Sequence, residues 1–137
     1  MKKITVKAIL ENLNTILDFV NIELESHGFP SNLVPDIDVA VEEVFVNICH
    51  YAYNSAGTSP ADGEATLYIS VGNEAVFKFI DTGIPFNPLE APTPNLDTPL
   101  MERDIGGLGI LLVRQIMDNI TYEYTNNQNI LTLTKKR

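Results

Sequence analysis

A chain of 137 residues with 18 acidic and nine basic side chains, formal charge −9, is long enough for one self-supporting domain and too short for two of ordinary size. Its 45% hydrophobic content excludes a disordered chain, and the acidic balance argues against nucleic acid and anionic membrane surfaces as partners. No apolar run approaches the roughly 18 residues of a membrane span and the Met1-Lys2-Lys3-Ile4 start lacks the apolar stretch of a signal peptide, so a single cytoplasmic domain over residues 1–137 is expected.

In chain order, Lys3 to Val6 reads as a short strand. Ala8 to His27 follows as an amphipathic helix with Ile9, Leu13, Ile16, Val20 and Leu24 on its core side, ended by Gly28-Phe29-Pro30. A second helix starts near Pro35 and Asp36 and runs to about Tyr53, with Ile37, Val41, Val44, Ile48 and Tyr51 facing the core. Cys49, the single cysteine, sits among these apolar residues and is expected as a small buried hydrophobe, not a reactive thiol.

The Ser-, Gly- and Pro-rich stretch from Asn54 to Gly63 is a loop, and Ala65–Val71 and Ala75–Ile80 form two strands around a Gly72-Asn73 turn. Ile84 to Asp104 holds five of the eight prolines and reads as a lid. Gly106-Gly107-Leu108-Gly109 opens a third helix reaching about Asp118, and Ile120–Thr125 and Ile130–Thr134 close the chain as strands around an Asn-rich turn. This order predicts a two-layer α+β sandwich, its sheet mixed but mostly antiparallel, with the helices on one face.

Three features could carry chemistry. On the second helix Glu43, Asn47, His50 and Asn54 recur at helical spacing and form one polar stripe. Such a stripe is ordinarily a solvated face; here Glu43 and Asn47 lie deep in an apolar run, and two oxygen acceptors one turn apart suit a hard cation such as Mg²⁺ or a base aimed at a hydroxyl. Asp81-Thr82-Gly83 ends a strand with a carboxylate and a glycine turn. Turn formation explains that, and so does recognition of a ligand amino group. The glycines at 106, 107 and 109 suit a phosphate at a helix N-terminus, although a tight turn would use them too, and no Lys-Ser/Thr follows to make a Walker loop.

Taken together, Glu43-Val-Phe-Val-Asn47 with Tyr51-Ala52-Tyr53 resembles the N box of the GHKL ATPases, the group of gyrase, Hsp90, histidine-kinase ATP domains and MutL. Asp81-Thr-Gly-Ile-Pro85-Phe86 resembles their first glycine box and Gly106-Gly-Leu-Gly109-Ile-Leu-Leu-Val113 their second. Pro85 stands where the wider group has glycine; proline is usual in the branch of bacterial anti-sigma-factor serine/threonine kinases of the RsbW type, to which the chain is most similar over roughly Asp36 to Lys136.

The resemblance implies the Bergerat fold with a mobile ATP lid, ATP and Mg²⁺ as ligands, and a set of roles. Asn47 would hold the metal against the phosphates and Glu43, four residues before it, would be the general base in preference to Glu42. Asp81 would bind the adenine amino group and Gly83 keep the purine pocket open. Gly107, Leu108 and Gly109 would line the phosphates, with Arg103 reaching the γ-phosphate. It also implies phosphorylation of a small anti-anti-sigma (STAS-like) antagonist, a sigma factor as second partner, and a homodimer. Two other readings stay open: a module that holds ATP and only sequesters partners, and a detached sensor-kinase ATP domain, against which counts the lack of a helical phosphoacceptor segment in this sequence.

Overall fold

The computed structural model describes residues 1–53, 63–90 and 105–137, the stretch 105–108 by its backbone alone. The strands are β1 (Lys2–Lys7), β2 (Glu64–Val71), β3 (Glu74–Asp81), β4 (Asn119–Thr125) and β5 (Gln128–Lys136); the α-helices are α1 (Leu13–Ser26), α2 (Val34–Asn47) and α3 (Ile105–Ile116). The strands form one sheet in the order β1-β2-β3-β5-β4. Every described pairing is antiparallel, in a sheet expected to be mixed but mostly so. Two of the four pairings are hairpins: Gly72-Asn73 turns β2 into β3, and Asn126-Asn127 turns β4 into β5 with both residues at positive φ, 54° and 62°, a conformation asparagine tolerates.

Strand alternation sorts the sheet into two faces. Leu67, Ile69, Phe77, Phe79, Leu131 and Leu133 are buried, while their neighbours Thr66, Tyr68, Val76, Lys78 and Thr132 are only half-buried. The helices cover the first face, and Ile16, Val20, Leu24, Ile37, Val41, Val44 and Phe45 complete a single core with it. Helix α1 is preceded by a 3₁₀ turn, Leu10–Asn12, so the regular helix begins later than the periodicity suggests and Ile9 is half-buried. It ends at Gly28 in the left-handed region (φ 64°). There Phe29 N–H donates to the Leu24 carbonyl (2.9 Å) and Gly28 N–H to the Glu25 carbonyl (3.0 Å), a Schellman closure whose Leu24 and Phe29 are both in the core. Of the expected lid, residues 91–104 lie outside the described residues, as does Asn54; Pro88–Glu90 forms a 3₁₀ turn. No helix among the described residues is long and apolar enough to cross a membrane.

Candidate functional site

Helix α2 turns its apolar side to the sheet and one polar flank towards α3. Glu42 is exposed and Glu43 half-buried, so of the two adjacent carboxylates it is Glu43 that turns inward. Its carboxylate lies against α3 at Gly109, where an added Cβ would overlap Glu43 Oε2. Burial, and then the charge of Glu42, hold the Glu43 carboxyl above the usual carboxylate range.

Asn47 is the last residue of α2, and the chain then widens into a π turn, Ile48–Ala52. The extra residue rotates the next side chains out of α-helical phase. Tyr51, expected on the core side, is instead 40% exposed, and its ring stacks on that of Phe86 (centroids 6.3 Å, planes 28° apart). The same turn delivers the Ala52 carbonyl to the loop after β3, where it accepts from Ile84 N–H (2.9 Å). Cys49, half-buried in this turn, has its thiol pushed up to about 11, chiefly by burial, and stays protonated as expected of a packing residue.

Asp81 ends β3 and is 7% exposed. Its Oδ1 accepts from Gly83 N–H (2.9 Å) and from the Asn129 amide (2.9 Å). Burial outweighs those two donors and raises the Asp81 pKa. Gly83 does not line the cleft that opens between helices and sheet. A Cβ there would overlap the Ala52 carbonyl oxygen, so the residue is small where the loop is pressed onto the π turn. Tyr53, buried behind them, donates to the Glu64 carbonyl (2.5 Å) and accepts from Thr82 N–H (3.0 Å), tying π turn, β2 and loop together.

These elements surround a cleft open to solvent. Val44, Asn47 and Ile48 come from α2 and the π turn, Ile110 from α3, Phe79 and Leu131 from the sheet; Asp81, Asn129 and Tyr122 bring polar groups at the sheet, and Tyr51 and Phe86 stand at the rim. Apolar walls with a few convergent polar groups suit a flat heteroaromatic ligand. No lysine or arginine is among the described lining residues. Gly107 and Leu108 lie in the first turn of α3, whose leading N–H groups have no intrahelical acceptor; Arg103 lies outside the described residues. The two helices thus meet beside a cleft that Asp81 also lines.

Asn129 escaped the sequence reading. A signal was present, since it shares strand parity with the inward-facing Leu131 and Leu133, and a polar residue on a core face needs partners.

The model of the histidine kinase-like ATPase domain matches residues 6–135. The chain belongs to that family. The expectation drawn from the N box and the two glycine boxes is therefore borne out at family level, and the two-layer sandwich with it. Among solved structures, the RsbU and RsbW domains of Rv1364c from Mycobacterium tuberculosis match with a TM-score of 0.65 over 99% of this chain at 13% identity. This chain spans 32% of that one, and at such identity the likeness concerns the fold. No curated protein matches the sequence. As a histidine kinase-like ATPase domain, the chain has ATP as the ligand its family implies.

Proposed function

We propose that this domain binds ATP with Mg²⁺ and transfers the γ-phosphoryl group to a serine or threonine hydroxyl of a partner protein. The observation that carries the reading is the placement of Glu43: an inward-turned carboxylate of raised pKa, set against the N-terminal half of α3 and one helical turn from Asn47, outside the apolar cleft that takes the base. A module that merely holds nucleotide has no use for a proton acceptor there.

In this reading the purine lies between the sheet and the rim, its amino group donating to Asp81, with Val44, Ile48, Ile110 and Leu131 excluding water. The N–H groups of the first turn of α3, at Gly107 and Leu108, face the phosphates, where the helix dipole favours negative charge. Gly109 serves by leaving room for Glu43. Mg²⁺ when bound supplies the neutralisation of phosphate charge that a protein of formal charge −9 otherwise lacks. Asn47 offers one oxygen to such an ion, and magnesium characteristically takes few protein ligands beside phosphate and water. Arg103, placed by the motif, would reach the γ-phosphate. Glu43 then accepts the hydroxyl proton of the attacking side chain as the bond to phosphorus forms, and ADP leaves.

Two findings support a small antagonist protein as the acceptor and a sigma factor as a second partner: the resemblance to the RsbW branch and the fold shared with a chain whose name includes an RsbW domain. The same resemblance supports a homodimer. The test is phosphate transfer from Mg²⁺-ATP to a STAS-like antagonist. Wild type labels a serine or threonine; Glu43→Ala loses about two to four orders of magnitude in transfer rate while its ADP affinity stays within a few-fold. Transfer by Glu43→Ala at the wild-type rate removes the base assignment, and saturable ATP uptake without any labelling by wild type favours the sequestering module.

A further inference from the structure

We propose that Asn129 is the positioning residue for base selection: it holds Asp81 so that one carboxylate oxygen alone faces the cleft as an acceptor. The proposal rests on reading the cleft as the adenine site.

Asn129, on β5 directly opposite Asp81, is 6% exposed and its amide is fully used. Nδ2 donates to Asp81 Oδ1 (2.9 Å) and to the Ile84 carbonyl (2.8 Å). Oδ1 accepts from Phe86 N–H (3.1 Å) and from the Tyr122 hydroxyl (2.5 Å). The Phe86 N–H can only donate, so an amide turned the other way would set N–H against N–H at Phe86 and oxygen against carboxylate at Asp81; the network itself decides which end is nitrogen. Both Asn129 N–H bonds are consumed, so it has nothing to give a base and acts only through Asp81. With Gly83 N–H and Asn129 filling Asp81 Oδ1, Oδ2 is the oxygen left for the ligand. An accept-only oxygen takes the amino group of adenine, whereas a 6-oxopurine in the same pose sets a carbonyl lone pair against it. One amide therefore ties β3, β5, the Tyr122 edge strand and the loop carrying Ile84 and Phe86 to the oxygen that reads the base.

The test compares binding of Mg²⁺-ADP and Mg²⁺-IDP, the 6-oxo counterpart, to wild type, Asn129→Asp and Tyr122→Phe. Asn129→Asp keeps the shape and both acceptor contacts but turns the donor into a second carboxylate oxygen. Near pH 8, ADP affinity should fall about tenfold to a hundredfold, and most of the preference for ADP over IDP should go with it. On lowering the pH to about 5.5, a proton held between the two carboxylates restores an O–H donor and ADP affinity recovers in the variant, while wild type does not strengthen. The titratable groups around the pair are Tyr122 and Tyr124 on β4, Tyr53 directly after the π turn and Glu90 on the 3₁₀ turn; all are common to both proteins, so the difference between the curves belongs to position 129. Tyr122→Phe removes one of the two donors that orient the amide, and should cost several-fold in ADP affinity and in base preference without the recovery at low pH.

Wild-type ADP and IDP affinities and preference in both variants overturn the proposal, as does an equal loss for both nucleotides at every pH, which a purely structural role would produce. If Asn129→Asp does not fold, Tyr122→Phe decides, and an unchanged base preference there overturns the role. Absence of ADP uptake by wild type defeats the adenine-site reading itself, and this role with it; ADP uptake with unaltered variants defeats this role alone.

Discussion

The Asp81 carboxylate is desolvated by the strands around it and receives two N–H donors, and desolvation is the larger effect. A carboxyl whose folded pKa exceeds its unfolded value contributes stability that is fully present below the unfolded pKa and lost as pH rises through the folded one. Asp81→Asn keeps an acceptor for Gly83 and Asn129 and removes the buried charge. The unliganded variant should therefore unfold with a flatter pH dependence above the ordinary carboxylate range, while its ADP affinity falls about tenfold or more, because an amide N–H can now face the adenine amino group. Chemical denaturation across pH together with ADP titration checks both; a variant that binds like wild type would show that Asp81 does not read the base. The inward turn of Glu43 near Asn47 and the strand-end position of Asp81 were legible in the sequence, through helical spacing, a glycine turn and the order in which the motifs follow one another. Asn129 was not, since its role exists only through partners from β3, β4 and the loop after β3.

Gly83 and Gly109 pack against other elements for different reasons, and substitution should separate them. At Gly83 a Cβ would meet the backbone of Ala52, which cannot swing aside, so Gly83→Ala should cost about 2 to 3 kcal/mol of stability by thermal or denaturant unfolding. A cost within a few tenths of a kcal/mol would mean that the loop and the π turn are not so pressed together. At Gly109 the obstacle is the far end of the Glu43 side chain, which can move, and alanine favours the helix by about 1 kcal/mol. Gly109→Ala should thus be as stable as wild type or more so, yet slower in phosphate transfer by about tenfold to a hundredfold because the carboxylate is pushed off its position. Unchanged transfer would separate Glu43 from the chemistry. The π turn that sets up the first of these contacts was invisible to periodicity: the apolar run through Ile48 and Tyr51 reads as uninterrupted α-helix, and only closure of the Asp81–Ile84 loop onto Ala52 reveals the wider turn.

At the scale of the whole molecule, one core joins the helices to a single antiparallel sheet, and the cleft opens where α2 and α3 meet over it. We propose that residues 1–137 act as one cooperative unit. Mg²⁺-ADP at about 100 times its Kd should then stabilise it by about 2.7 kcal/mol and raise Tm by roughly 7 to 12 °C in a single transition. Two separated transitions, or a Tm indifferent to nucleotide, would count against the unit or the ligand respectively.

The sequence by itself determined the element order, the core side of α1 and of the regular part of α2, and the motif that assigns the family, because these depend on spacing along the chain and on local turn chemistry. Tertiary structure alone decided that all pairings are antiparallel, that Tyr51 stands at the rim, that Gly83 seats a loop, that Glu43 rests on Gly109, and that Asn129 holds Asp81. Each of these is a contact between side chains or backbone far apart in sequence, and such contacts are chosen by packing, which no local pattern encodes.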